Sequence, residues 1–224
     1  MNASQITIDY MVQRWSGMER PLFKGKLIDD DGCKCAQGDV LACAGWTDQQ
    51  LRELTQSTAD LEVADILNIS KAHAVWLRVV NDSVGGAPQV VLSSPEQLVG
   101  SNAPLLLAFW KHLDTLTNKQ WDSVWASVWA SVLASVWASV EASVLASVWA
   151  SVRDSVWASI GASVKDSVGA SVWASIGASV EASASMASAE IITMEKREKN
   201  GQQPFFLAFY GFKTWADVRA LAAH

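Results

Sequence analysis

The chain has 224 residues, half of them hydrophobic, and a formal net charge of −6. That length allows one or two domains with a real core, and the mild acidity excludes a dedicated binder of nucleic acid or anionic membrane working by bulk electrostatics. No uncharged apolar run reaches membrane-spanning length, because serine interrupts the apolar tract at every fourth position.

The N-terminal MNASQITIDYMVQRW has no basic start followed by an apolar run, so no signal peptide is expected. Residues 1–120 read as a mainly helical domain. Cys33, Cys35 and Cys43 are an odd number of thiols, which fits a reduced cytoplasm better than a disulfide framework. With His73 or an Asp they could complete a metal site, but CxC lacks the CxxC spacing usual for structural zinc and no second Cys pair exists. Ordinary thiols are the simpler reading, and no metal or other cofactor is expected. A Cys35–His73–Asp82 nucleophile set can be written down without support from its spacing.

Thr47 to Gln50 form a capping box before LRELTQ. Thr58 to Asn68 carries Leu61, Ala64, Ile66 and Leu67 at helical spacing. Ser70 starts a second helix, KAHAVWLRVV, which stops near Asn81. The apolar positions from Val63 to Leu77 match a helix-turn-helix, with Asn68 in place of the usual turn glycine. Such a motif at 63–79 would offer Ser70, Lys71, His73, Trp76 and Arg78 to a major groove. The neighbouring acids Asp60, Glu62, Asp65 and Asp82 favour an ordinary helical hairpin. Gly85 to Pro88 is a turn, and QVVL at 89–92 is a short strand candidate. Asn102-Ala-Pro104 opens an amphipathic helix, LLLAFWKHLDTL.

Thr117 to Gln120 form another capping box, and at Trp121 a repeat begins. Sixteen X-A-S-V tetrads run to Ala184. Position three is always Ser; position four is Val except at Ile160, Ile176 and Ala184; position two is Ala except at Asp122, Asp154 and Asp166. The content of Trp and Val opposes a disordered low-complexity tract. In a helix each tetrad turns about 400°, so valine would drift about 40° per unit and visit every side over nine units. A β-solenoid makes four residues a natural quantum, with Val inward, Ser near corners and X outward. Three sides, about 12 residues per coil, sort the X positions into two apolar columns and a charged one holding Glu141, Arg153 and Lys165. Sixteen residues per coil scatter the charges among the tryptophans. The apolar columns hold Trp121 and Trp157, and Trp125, Trp137, Trp149 and Trp173, and these six are the candidate partner-binding residues. A strip of that size is too apolar to stay exposed on a monomer.

The C-terminal IITMEKREKNGQQPFFLAFYGF reads as two strands around Asn200-Gly201, and Thr214 to Asp217 cap a final helix. The expected fold is therefore α+β: a helical domain at 1–120, a three-sided β-solenoid at 121–188, and a β–α cap at 189–224. A long α-helical repeat is the alternative.

The tetrad resembles the pentapeptide-repeat family, whose units also turn small and aliphatic residues inward, although the unit here is four residues long and its core residue is Val. The DNA mimicry of some members of that family needs a more acidic face than this one. The chain is also similar to uncharacterised phage-associated and bacterial proteins with XASV or XDSV tracts. Some of these precede the tract with segments like KGKLIDDDGCKCAQGDVLACAG and ISKAHAVWLRVVNDS here. That likeness implies a phage or mobile-element setting, hence a bacterial cytoplasm, and no known activity. The expected function is a non-enzymatic interaction or assembly scaffold that binds a protein or itself. DNA regulation through 63–79 is the runner-up, a Cys- or metal-dependent enzyme the third, and no membrane is expected.

Overall fold

The computed structural model describes residues 6–18, 21–131 and 182–223. Among these residues helices dominate, and the single extended pairing is an isolated antiparallel bridge between Ile28 and Lys34. The chain divides into two compact units, Met1–Thr115 with Arg219–His224, and Leu116–Val218.

Among the described residues up to Thr115 the first unit holds eight α-helices: α1 (Ile8–Ser16), α2 (Ala36–Cys43), α3 (Asp48–Glu53), α4 (Gln56–Leu67), α5 (Lys71–Asp82), α6 (Pro88–Ser93), α7 (Glu96–Val99) and α8 (Ala103–Thr115). Most are short, so their starts depend on side chains that accept otherwise unpaired N–H groups. Thr7, Thr47, Thr55 and Ser70 do this for α1, α3, α4 and α5, and Thr47 closes a full capping box with Gln50. For α2 the acceptor is the Cys35 thiol, 3.4 Å from the Gly38 nitrogen. The helices enclose a core of Met11, Val40, Leu41, Val63, Ala74, Leu77 and Val91, all fully buried. Helix α5 is central, packed against α2, α4, α6 and α8.

The segment between α1 and α2 lies against α2 so closely that a Cβ at Gly38 would stand 1.9 Å from the Leu27 carbonyl oxygen. The end of α5 fastens this segment. Asn81, 2% exposed, donates to the Phe23 carbonyl at 2.8 Å and accepts from the Ala36 N–H at 3.3 Å. Asp82 accepts from the Gly25 N–H at 2.9 Å. The KGKLIDDDGCKC and VVNDS stretches thus form one hydrogen-bonded assembly.

Residues 89–92 are helical in α6, not a strand. Pro88 at the first position presets helical φ, and Val91 and Leu92 are buried. A short apolar run cannot be told from a buried helical turn by periodicity alone.

The second unit overturns the solenoid. Residues 118–131 (α9), which contain the first tetrad, and 182–192 (α10), which begin with the last three residues of the final tetrad, are helical. In α9 the tetrad places Val124 and Val128 in the core at 3% and 4% exposure, and Trp121, Trp125 and Trp129 beside them, half-buried. Those five positions are spaced i, i+3, i+4, i+7, i+8, the apolar stripe of an amphipathic helix. A drift of about 40° per tetrad is small over the three tetrads of α9. Four residues is also the helical hydrogen-bond period: the Ser127 hydroxyl donates to the Ser123 carbonyl at 2.9 Å, and that of Ser188 to the Ala184 carbonyl at 2.9 Å. Ser127 in the tract, like Ser188 just beyond it, therefore satisfies its hydroxyl on its own helix and needs no corner.

The expected C-terminal strands are helices too: α10, α11 (Met194–Lys199) and α12 (Phe206–Phe209), followed by α13 (Trp215–Ala220) and a 3₁₀ turn at Leu221–Ala223. The cause is Glu190, whose side chain has no solvent exposure. Its carboxylate accepts N–H groups from Phe205 at 3.1 and 3.2 Å and from Leu207 at 3.0 Å, and pairs with Arg197 at 3.3 Å. FFLAF is thereby turned into a helix start instead of extending. Replacing Glu190 with Ala strands these N–H groups and the Arg197 charge, at an expected cost of about 2–4 kcal/mol. Amide hydrogen exchange should show Phe205 and Leu207 losing protection while the amides of α2 keep theirs.

Candidate functional site

The predicted motif that the structure assembles in full is the helical pair at 63–79. Helix α4 ends at Asn68, the one non-glycine residue with positive φ among the described residues, at φ 51° and ψ 45°. Asn tolerates this left-handed conformation better than most residues, which explains how it stands where glycine is usual. Its N–H returns to the Asp65 carbonyl at 3.3 Å, and Ser70 then caps α5 through the His73 N–H at 3.1 Å. Two packed helices joined through a left-handed residue are thus formed where the motif was expected.

Its side chains are largely committed inward. Ser70 is 5% exposed and serves as the cap. His73 is buried, and its Nε2 donates to the Val91 carbonyl at 3.0 Å. Burial pushes the His73 imidazole below its ordinary pKa, partly offset by that bond. Trp76 sits edge-on to Trp110, 5.6 Å between ring centroids. Arg78 faces Asp60 at 3.3 Å, and Asp60 also accepts from Gln37 at 2.8 Å. Lys71 is exposed, and its backbone N–H meets the Asp114 carboxylate at 2.9 Å. The outward face of α5 is Lys71, Val75 and Val79, four residues apart, with Val79 53% exposed. One cation and two valines offer little to base edges, which are read through paired donors and acceptors.

The thiols take separate roles. Cys33 is exposed, Cys43 half-buried, and Cys35 buried as the cap of α2. Burial pushes the Cys35 thiol above its ordinary pKa; the Gly38 and Gln37 N–H groups offset part of this, while the Asp82 charge adds to it. An activated thiolate needs the opposite shift. Among the described residues no three His, Cys, Asp or Glu side chains are grouped to hold a metal ion. Of the nucleophile set, His73 is held by Val91, and Asp82 by Gly25 and Asn81.

Of the six candidate tryptophans, Trp121 and Trp125 lie half-buried on α9, while Trp137, Trp149, Trp157 and Trp173 lie outside the described residues. Stacked columns about 4.8 Å apart required a sheet, and the helical ends of the tract remove that geometry. The first unit also has a cleft of about 280 Å³ lined in part by Trp15, Leu22, Lys24, Asn81, Gly86 and Pro88. Its polar groups turn toward protein: Lys24 donates to the Ser83 carbonyl and Asn81 to that of Phe23.

Sequence reasoning missed the buried carboxylates. Asp39, 4% exposed, receives both Arg14 Nε at 2.7 Å and Nη2 at 2.8 Å, together with the Trp15 indole N–H at 2.9 Å. The available signal was two acids, Asp39 and Asp60, each at helical spacing with buried apolar residues, Asp39 with Ala36 and Asp60 with Val63 and Ala64. No family model, curated protein or solved structure matches the chain.

Two outcomes follow. Arg78→Ala leaves the Asp60 charge buried and unpaired, and urea unfolding should show a loss of about 3 kcal/mol. A surface cation used only for phosphate contact would cost under about 0.5 kcal/mol. Because the pKa of His73 is lower folded than unfolded, its contribution to stability is complete above the unfolded value and is lost as pH falls. Urea midpoints should therefore drop between about pH 7.5 and 5.5, and less steeply in His73→Gln.

Proposed function

We propose that the chain is a non-enzymatic interaction protein whose tetrapeptide tract is a helical contact element, and that its first partner is a second copy of itself. The observation that carries this reading is the arrangement of α9, where Val124 and Val128 are buried, Trp121, Trp125 and Trp129 lie half-buried beside them, and Asp122, Ser123, Ala126 and Ser127 are exposed. The sequence repeats the tetrad sixteen times, with Val or Ile at position four in fifteen units and Trp at position one in seven, so a segment of one copy can meet in another a surface like the one it presents. The three free thiols and the likeness to phage-associated proteins support a bacterial cytoplasm and a phage or mobile-element setting. Among the described residues no helix is long and apolar enough to cross a membrane.

A second reading, DNA binding through 63–79, is favoured by one observation, the backbone of Asn68 and the Ser70 cap. It stands second because Arg78 and His73 are used within the unit. Weak duplex binding at low salt, reduced in Lys71→Ala with a salt slope smaller by about one, is the result that would raise it.

Sedimentation velocity tests the first reading. The full chain should associate at micromolar concentration, and Trp137→Ser/Trp149→Ser should weaken association by about 30-fold or more, the loss of about 2 kcal/mol typical of one aromatic hot spot. A wild-type chain that stays monomeric up to about 100 μM, above the affinities of ordinary specific complexes, contradicts it.

A further inference from the structure

We propose that the second unit carries an oxyanion site, a cleft that takes the phosphate group of a small molecule, formed by one face of α11 and the residues that turn back after it. The cleft has a volume of about 260 Å³ and is lined by Thr193, Lys196, Arg197, Asn200 and Gln202. All five lie inside the second unit. Thr193, Lys196, Arg197 and Asn200 are spaced i, i+3, i+4 and i+7, which puts them on one helical face. Gly201, at φ 71°, reverses the chain, and the Gln202 N–H returns to the Arg197 carbonyl at 3.0 Å. The Asn200 and Gly201 N–H groups bond the carbonyls of Lys196 and Glu198 at 3.2 and 2.9 Å. Carbonyls that a helix end would turn toward an anion are thereby taken up.

The lining holds two cations and two carboxamides, and no carboxylate. Arg197 is fixed from one side. Its Nε donates to the Thr193 hydroxyl at 3.0 Å and its Nη1 to Glu190 at 3.3 Å. Among the described residues its Nη2 has no acceptor, and the side chains of Lys196, Asn200 and Gln202 have no partner. A guanidinium already held by its neighbours loses little freedom when it binds. Glu190 offsets the Arg197 charge, so the unpaired charge of Lys196 sets the attraction.

Phosphate suits this donor set better than a carboxylate does. The donors come from α11 and from the returning segment, and a tetrahedral group has oxygens in several directions, whereas one guanidinium edge satisfies a planar carboxylate. A phosphate monoester carries a charge of about −1.5 to −2 at neutral pH, enough to engage a lysine and an arginine together. The volume falls short of the roughly 300 Å³ at which sites for drug-sized ligands begin, which fits a phosphate with a small organic group. No tetrad lines the cleft, so the inference is independent of self-association through the tract.

The test is an NMR titration of the ¹⁵N-labelled full-length chain at constant ionic strength, with inorganic phosphate, glycerol phosphate, acetate and chloride as separate arms. The side-chain amides of Asn200 and Gln202 and the Arg197 Nε–H should shift saturably with a phosphate arm, at a Kd of about 1 mM or tighter. The tighter of the two phosphate arms identifies the source as free phosphate or a monoester. Lys196→Gln, at an exposed position that leaves the Glu190 pair intact, should weaken binding at least about threefold, and Lys111→Gln, an exposed cation of the first unit, should leave it unchanged. Shifts that do not saturate by about 20 mM of either phosphate, shifts matched by acetate or chloride, or an affinity unaltered in Lys196→Gln overturn the site.

Discussion

The first N–H groups of a helix have no partner within it, and this chain is built largely of short helices, so the requirement recurs every few residues. It is met by side chains that do a second job. Ser70 both caps α5 and completes the turn from α4. Cys35 caps α2 where the preceding segment crosses Gly38. Glu190 reaches 15 residues along the chain to cap FFLAF and holds Arg197 with the same carboxylate. Without these acceptors the helix starts would carry unpaired N–H groups inside the core, each costing about 1–3 kcal/mol.

The tetrad follows from the same backbone rule. Helical N–H groups return four residues, and so does Ser127, whose hydroxyl bonds the carbonyl of Ser123 one unit earlier. The apolar positions one and four fall at i, i+3 and i+4, which keeps them on one stripe for a few turns. The stripe drifts because four residues overshoot 3.6, so no flat partner could cover all sixteen units of one helix. The drift rules out a long planar seam and does not rule out helix.

The sequence made the helical first unit legible, along with the boxes at Thr47 and Thr117, the helical pair with its turn at Asn68, and the capping Thr214. Each rests on local chemistry that one chain displays. It did not disclose the second unit. QVVL and FFLAFYGF are apolar runs whose helical state depends on Pro88 and on a carboxylate 15 residues away, and neither is local periodicity. The solenoid expectation fails because drift over nine units does not matter to a stripe that has only to hold over the length of one helix. Asp39, Asp60 and Glu190 could not be placed because their partners Arg14, Arg78 and Arg197 become visible only when the helices pack. The inward commitment of His73 and Arg78 was hidden for the same reason, since helical spacing names a face and not its neighbours.

The account stands or falls on the helical state of the tetrads. The most direct measurement is the ¹³Cα chemical shifts of Val124, Val128, Ser183 and Ala184 in the labelled full-length chain. The account predicts downfield helical shifts at all four, with slow amide exchange at the two valines. Upfield, strand-type shifts at these positions would contradict it and restore the coil of four-residue sides.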